Sequence, residues 1–210
     1  MNSRLYHRSV FARAFTLVEL LVVIVIIAIL ASLAIPTVTL AIAKMHSLQV
    51  KSVMHELESA VANYRTEYNR FPMEFTEVGD EDRPSFQTDG SDDMITILTA
   101  RTDSNQRPDL NPKQIPFAHL PLAKNGRFGV VDPRDNGQAE GAPLELRDLW
   151  GQPYHVLFDT NHDNRIKNPD TENGDMIIRH APPFLSASVL IYSAGPDKIP
   201  NTRDDITSWR

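Results

Sequence analysis

Phe15-Thr16-Leu17-Val18-Glu19-Leu20-Leu21-Val22-Val23-Ile24-Val25-Ile26-Ile27-Ala28-Ile29-Leu30-Ala31-Ser32-Leu33-Ala34-Ile35 is the stretch on which the reading of the whole chain turns. Only Thr16, Glu19 and Ser32 interrupt its apolar character. As a helix rising 1.5 Å per residue it would span roughly 30 Å, the thickness of a bilayer's hydrocarbon core. Arg4, Arg8 and Arg13 precede it with no acid among them, which argues for a cytoplasmic N-terminal side; Lys44 and Lys51 beyond it weaken that asymmetry. A secretory signal peptide ending at Ala41-Ile42-Ala43 is a competing reading, but the apolar run exceeds the usual length of such a signal. A plain membrane anchor is another, and it leaves Glu19 unexplained. A carboxylate in hydrocarbon costs a few kcal/mol and marks a functional site by default.

The remainder of the 210 residues is polar and acidic. The formal charge is −6, and setting aside the leader arginines Arg4, Arg8 and Arg13 takes residues 15–210 to −9. That sign speaks against nucleic acid as a partner and suits a cation binder. The chain has no cysteine, so disulfides, thiolate metal sites and cysteine nucleophiles are excluded. A small extracytoplasmic core would need another reinforcement, such as a bound metal.

Arg13-Ala14-Phe15-Thr16-Leu17-Val18-Glu19-Leu20-Leu21 resembles the prepilin peptidase signature of the type IV pilin-like family. In that signature a short basic leader ends in a small residue, and Phe-Thr-Leu-x-Glu opens a long apolar run. The resemblance implies cleavage between Ala14 and Phe15, N-methylation of the new Phe15 amine, and a role for Glu19 in pairing with a neighbouring subunit's terminal amine during assembly. Ala14 departs from the glycine usual at that place. The pairing is physically coherent, since a buried carboxylate seeks an opposite charge and a terminal amine from another copy lies at its depth.

Outward from this segment, Val50, Val53, Met54, Leu57, Val61, Tyr64 and Tyr68 recur at three- and four-residue steps, the period of an amphipathic helix. Phe15 to about Asn69 thus reads as one helical rod of roughly 80 Å, with a bend expected at Pro36. Its apolar face needs a sheet to cover it. Residues 79–147, rich in Asp, Asn, Gly and Pro, read as a long loop region with one short helix near Asp92 to Ala100. Pro153 to Phe158, Asp175 to Arg179 and Ser188 to Ser193 read as strands. The expected fold is α+β: a long N-terminal helix packed on a small antiparallel sheet with long loops. Its divisions are a leader (1–14), a transmembrane and polymerisation segment (15–35), an amphipathic continuation (36–70) and a periplasmic globular domain (71–210).

Asp148-Leu149-Trp150-Gly151-Gln152-Pro153-Tyr154 resembles the turn that opens the sheet in major pseudopilins, with Trp150 and Tyr154 read as packing residues. Ser193 to Ile206 resembles their C-terminal calcium loop. That resemblance implies Asp197, Asp204 and Asp205 as side-chain ligands and Ala194 as a carbonyl ligand, with Lys198 where the family commonly has Gly. Calcium takes six to eight oxygens, which such a loop can supply; a solvated acidic turn is the alternative. Asp159, Asn161 and Asp163 fit the first, third and fifth positions of an EF-hand loop, with Arg165 at the seventh, Ile166 at the eighth and Asp170 at the twelfth. Asn164 stands in the glycine position. A second calcium loop and an Asx-rich turn without metal are equally open readings.

Beyond His7, the histidines His46, His55, His119, His155, His162 and His180 are scattered, and no metalloprotease, nucleophile-elbow or phosphate-loop motif is present. The chain reads as a structural subunit rather than an enzyme. The resemblance implies a type II secretion pseudopilus subunit, polymerising with itself and with other pseudopilins on an inner-membrane assembly platform. Its N-terminus would be cytoplasmic and its domain periplasmic, with a periplasmic filament as the assembled form. A type IV pilin for adhesion or motility, and a membrane-anchored periplasmic binding domain, are the alternatives.

Overall fold

The computed structural model describes residues 15–73, 82, 85–101, 109–137, 141–172 and 181–210, without the side chains of 33–37, 135–136 and 172. Two compact units divide between Met45 and His46. The first contains the opening part of helix α1 (Leu17–Tyr68). Apart from Thr16 and Glu19, its side chains from Phe15 to Leu30 are apolar, and they are exposed on every side, Phe15 by 77%, Val25 by 47% and Leu30 by 60%. A helix apolar all round is stable only in lipid or among partners. Among the described residues no helix is long and apolar enough to cross a membrane. The described side chains of this run stop at Ser32, and the apolar sequence continues to Ile35. The bend expected at Pro36 lies outside the described side chains.

In the second unit α1 changes character, as its spacing requires. Val50, Val53, Met54, Leu57, Val61 and Tyr64 are buried along one face, joined by Ala60, whereas Tyr68 is only partly buried. The helix stops where expected: Asn69 turns left-handed (φ 52°) and its N–H closes on the Arg65 carbonyl at 2.8 Å. Asn is among the few residues that tolerate this conformation at a helix end.

That face is covered by a four-stranded antiparallel sheet, in keeping with the expected α+β class. Its strands are β1 (Phe86–Gln87), β4 (Tyr154–Phe158), β7 (Val189–Ser193) and β8 (Ile206–Thr207), ordered β1-β4-β7-β8. Two short pairs flank it: β2 (Gly129–Val131) with β3 (Glu145–Arg147), and β5 (Ile166–Lys167) with β6 (Phe184–Leu185). The register Tyr154↔Ser193, Val156↔Ile191, Phe158↔Val189 puts Tyr154, Val156, Phe158, Val189 and Ile191 in the core with the α1 stripe. His155 and Tyr192, also opposite one another, stack with ring centroids 4.5 Å apart. The strand expected over Asp175 to Arg179 lies outside the described residues.

The loop reading of 79–147 is corrected. The short helix is there as α2 (Met94–Thr99), started by Asp92 Oδ1, which accepts the Met94 N–H at 2.8 Å. Strands β1, β2 and β3 also lie in this stretch, and Leu110, Ala118, Val130, Leu144 and Leu146 belong to the core. Buried Asn111 organises part of this region: its Nδ2 donates to the Ile97 and Ile115 carbonyls at 3.0 and 2.9 Å, and its Oδ1 accepts from Tyr68 at 2.8 Å. Such links are invisible to hydropathy because they satisfy backbone groups one at a time.

The turn before β4 is held by Asp148, which is fully buried. Its Oδ1 accepts the Trp150 and Gln152 N–H groups at 2.9 and 2.8 Å, and its Oδ2 accepts the Ser193 hydroxyl at 2.6 Å. One carboxylate therefore closes the turn and fastens it to β7. Trp150 packs half-buried against the core and Tyr154 is fully buried, as the packing reading required. Ser193→Ala should lower the unfolding free energy by about 1–3 kcal/mol, because it deprives a buried carboxylate of a donor. Urea denaturation of the full chain in detergent checks this; an unchanged midpoint would contradict the role assigned to the Asp148–Ser193 link.

Candidate assembly and cation sites

Helix α1 begins with a reciprocal cap. Thr16 Oγ1 accepts the Glu19 N–H at 3.2 Å, while Glu19 Oε2 accepts both the Thr16 N–H and the Thr16 hydroxyl at 2.9 Å. This is the capping-box pattern, in which a Thr and a Glu three residues on satisfy each other's backbone N–H groups. The signal for this cap is local, in Thr16-Leu17-Val18-Glu19, and gives Glu19 a role within its own chain besides its intermolecular charge. Glu19 thus stands at the end of an apolar helix with its charge held at the helix's positive pole. Phe15 is exposed beside it, and Ala14 lies outside the described residues.

The C-terminal loop gathers its three acids. Thr202 Oγ1 lies within 3.1 Å of Asp197 Oδ2, 2.8 Å of Asp204 Oδ1 and 3.2 Å of Asp205 Oδ1. The backbone contributes as well: Asp204 Oδ2 accepts the Asp197 N–H at 3.1 Å, and Asp205 Oδ2 accepts the Asn201 N–H at 2.9 Å. Burial pushes the Asp205 carboxyl up from its usual range, and the neighbouring Asp204 charge adds to this against the hydrogen bonds it accepts. Burial also opposes ionisation of Asp204, but hydrogen bonds from Thr202 and Asp197 outweigh it and hold that carboxyl low. Ala194 is buried at the loop's start. Next to it a side chain at Gly195 would bring Cβ within 2.4 Å of the Asp204 carbonyl oxygen, so only glycine permits the closure. The donor set is all oxygen, the kind a calcium-like ion takes. Among the described residues, however, no three His, Cys, Asp or Glu side chains stand ready to hold a metal; here the Thr202 hydroxyl occupies the centre.

The second acidic loop behaves differently from its sequence pattern. Asn164 is left-handed (φ 59°), as its glycine position demands, and His162 is too (φ 62°). Asp159 is buried and its Oδ2 accepts the Asn164 N–H at 3.0 Å; Asn161 Oδ1 and Asp163 Oδ1 accept the N–H groups two residues on. Asp170 is turned to other work. Its Oδ2 accepts Trp209 Nε1 at 2.9 Å and its Oδ1 meets the Arg210 guanidinium at 3.1 Å. The Arg165 guanidinium lies 4.3 Å over the Phe184 ring. Sequence spacing missed Asp82, whose Oδ1 accepts the Thr160 N–H at 3.0 Å from far along the chain.

The family described as "Prokaryotic N-terminal methylation motif" matches residues 11–35. Over 198 residues the chain is 27% identical to the type II secretion system core protein G of Pectobacterium carotovorum subsp. carotovorum, covering 94% of this chain and 84% of that protein. The protein of the same description from Klebsiella pneumoniae is 27% identical over 197 residues, covering 94% of each. No solved structure matches.

Lys198 carries a cost that follows from the loop geometry. It is exposed and left-handed (φ 65°), a conformation that penalises a β-carbon and suits glycine. Lys198→Gly should therefore raise stability by about 1 kcal/mol, seen as a higher melting temperature, whereas Gly195→Ala should lower it sharply. A lower melting temperature for Lys198→Gly would show that the lysine side chain contributes more than its backbone costs.

Proposed function

We infer that this chain, a type IV pilin-like protein homologous to core protein G of type II secretion systems, is a major pseudopilin: a structural, non-enzymatic subunit that carries a prepilin processing motif. The observation that carries the reading is the likeness over 94% of the chain, globular unit as well as N-terminal motif. A generic pilin or an unrelated anchored domain would share only the N-terminal segment.

In this reading prepilin peptidase cuts between Ala14 and Phe15, and the Phe15 amine is methylated. Residues 15–35 anchor the subunit in the inner membrane, with the N-terminus cytoplasmic and the globular unit periplasmic. The subunit then polymerises with copies of itself and with other pseudopilins on the assembly platform. The exposed apolar helix supports this, since it needs lipid before assembly and neighbouring helices afterwards. Glu19 would exchange its own cap for a neighbour's terminal amine.

The cap makes the test discriminating. Glutamine can serve in a capping box but carries no charge. Both Glu19→Ala and Glu19→Gln should therefore abolish filaments while the melting temperature of the globular unit stays unchanged. Filaments from Glu19→Gln at normal yield would mean that Glu19 acts as a cap and not as a charge partner. Mass spectrometry of the mature protein should find N-methylated Phe15 as the first residue; Met1 in that place would sink the assignment.

The C-terminal loop is proposed as a calcium site, with Asp197, Asp204 and Asp205 as carboxylate ligands and the Ala194 carbonyl as a fourth. Binding would draw Thr202 Oγ1 out of the centre it now fills. An ion bound only to the folded state at a hundredfold excess over Kd adds about 2.7 kcal/mol. Chelation should accordingly lower the melting temperature. Asp205→Asn should have two opposed effects: a higher melting temperature in chelator at pH 7, since it removes a charge that burial disfavours, and loss of the calcium response. The sign follows from linkage. A carboxyl whose folded pKa is raised contributes stability below its unfolded pKa and loses it as pH rises through the folded one. A melting curve of the unmutated chain indifferent to chelator would leave the loop an acidic turn.

A further inference from the structure

The segment following β4 buries a carboxylate that its neighbours only half satisfy. Asp159 is 2% exposed; its Oδ2 is hydrogen-bonded within the loop, while its Oδ1, also shielded from solvent, has no hydrogen-bond partner among the described residues. A bare charged oxygen at that depth is costly unless a cation meets it. Because Oδ2 is fixed by the Asn164 N–H, the carboxylate is turned into the loop that Asn161 and Asp163 also line.

A further acid comes from outside the loop. Asp82 Oδ1 accepts the N–H of Thr160, the residue next to Asp159, at 3.0 Å, which fastens this distant acid to the start of the loop. Two guanidinium groups reach this loop and both are engaged elsewhere: Arg165 is stacked over Phe184 and Arg65 meets His162 Nδ1 at 3.2 Å. The acids do not yet converge as three ligands would, but the buried Asp159 keeps one oxygen unspent beside a loop that carries Asp163 and is fastened to Asp82. That arrangement differs from the EF-hand order in the sequence, because Asp170 is committed to Trp209 and Arg210.

We propose that Asp159, Asn161 and Asp163, with Asp82 from across the fold and the backbone carbonyl of Arg165, bind a hard divalent cation of the calcium type, and that Asp170 takes no part. Water would complete the six to eight oxygens such an ion takes. The donors include an amide and a carbonyl as well as carboxylates, so the site asks only for closure of the loop on the ion. It stands independently of the filament reading and of the C-terminal loop.

Calorimetric titration of the full chain in detergent with calcium chloride tests this, in a background of Asp204→Asn with Asp205→Asn that disables the C-terminal acids. One calcium should still bind. Adding Asp163→Asn, at an exposed position that the fold tolerates, should weaken it about tenfold or more, whereas adding Asp170→Asn should leave it unchanged. As a readout that needs no tight binding, Asp159→Asn should raise the melting temperature in chelator and abolish its rise with calcium. A background variant with unaltered far-ultraviolet circular dichroism that takes up no calcium at millimolar concentration would overturn the proposal, and so would undiminished binding after Asp163→Asn. A loss on Asp170→Asn matching that on Asp163→Asn would overturn the ligand set in favour of the sequence order.

Discussion

The apolar stripe on the second half of α1 has to be kept from water, and most of the globular unit is arranged to do it. Val50, Val53, Met54, Leu57, Val61 and Tyr64 form a surface that no isolated helix could leave exposed, each side chain contributing about 1.5–3 kcal/mol on burial. The inward residues of β4 and β7 meet it directly, and β7, lying between β4 and β8, is buried along its whole length. The first part of the same helix has the opposite property. From Leu20 to Leu30 it is apolar on all sides and offers no stripe to cover. One secondary structure is therefore written for two surroundings: a half that packs on its own core, and an apolar half that is stable only in lipid or among partners.

Around the core, order is imposed by a few buried polar side chains. Asn111 links the segment after α2 to the end of α1, and Asp148 closes the turn that β4 leaves from and holds it to β7. Thr88 does the same between sheets: its hydroxyl donates to the Leu146 carbonyl at 2.7 Å and accepts the Tyr154 N–H at 2.9 Å. Each satisfies backbone groups that short, irregular strands leave unpaired. In a chain without disulfides these links take over part of the work of cross-bridges.

The two acidic loops show how carboxylates are tolerated without opposite charges. In the C-terminal loop a hydroxyl and backbone N–H groups are shared among Asp197, Asp204 and Asp205, and the left-handed residues Lys198 and Asn201 give the loop its curl. In the other, Asp159, Asn161 and Asp163 each accept a backbone N–H further along the loop, which bends the chain without meeting all of its negative charge. The second arrangement leaves Asp159 Oδ1 buried without a hydrogen-bond partner on a unit of net negative charge. Electrostatic repulsion of that kind is relieved by a cation more readily than by rearrangement.

Local and periodic features were legible in the sequence alone. The apolar run with its single acid, the three- and four-residue spacing beyond it, the stop at Asn69, the short helix beginning near Asp92 and the strands ending at Phe158 and Ser193 all follow from short-range rules. They are set by residues adjacent in the chain, and so are the left-handed turn at Asn164 and the acids of the C-terminal loop. Tertiary structure decided what depends on distant partners. It drew β1, β2 and β3 out of a stretch that reads as loop, because strands of two or three residues have no period of their own and exist only by pairing. It placed Trp209 and Arg210 against Asp170, at the twelfth position of the EF-hand spacing, and brought Asp82 to the Thr160 N–H. Hydropathy and spacing measure what a residue's neighbours in sequence permit; a carboxylate's partner is chosen by whichever donor the fold carries to it.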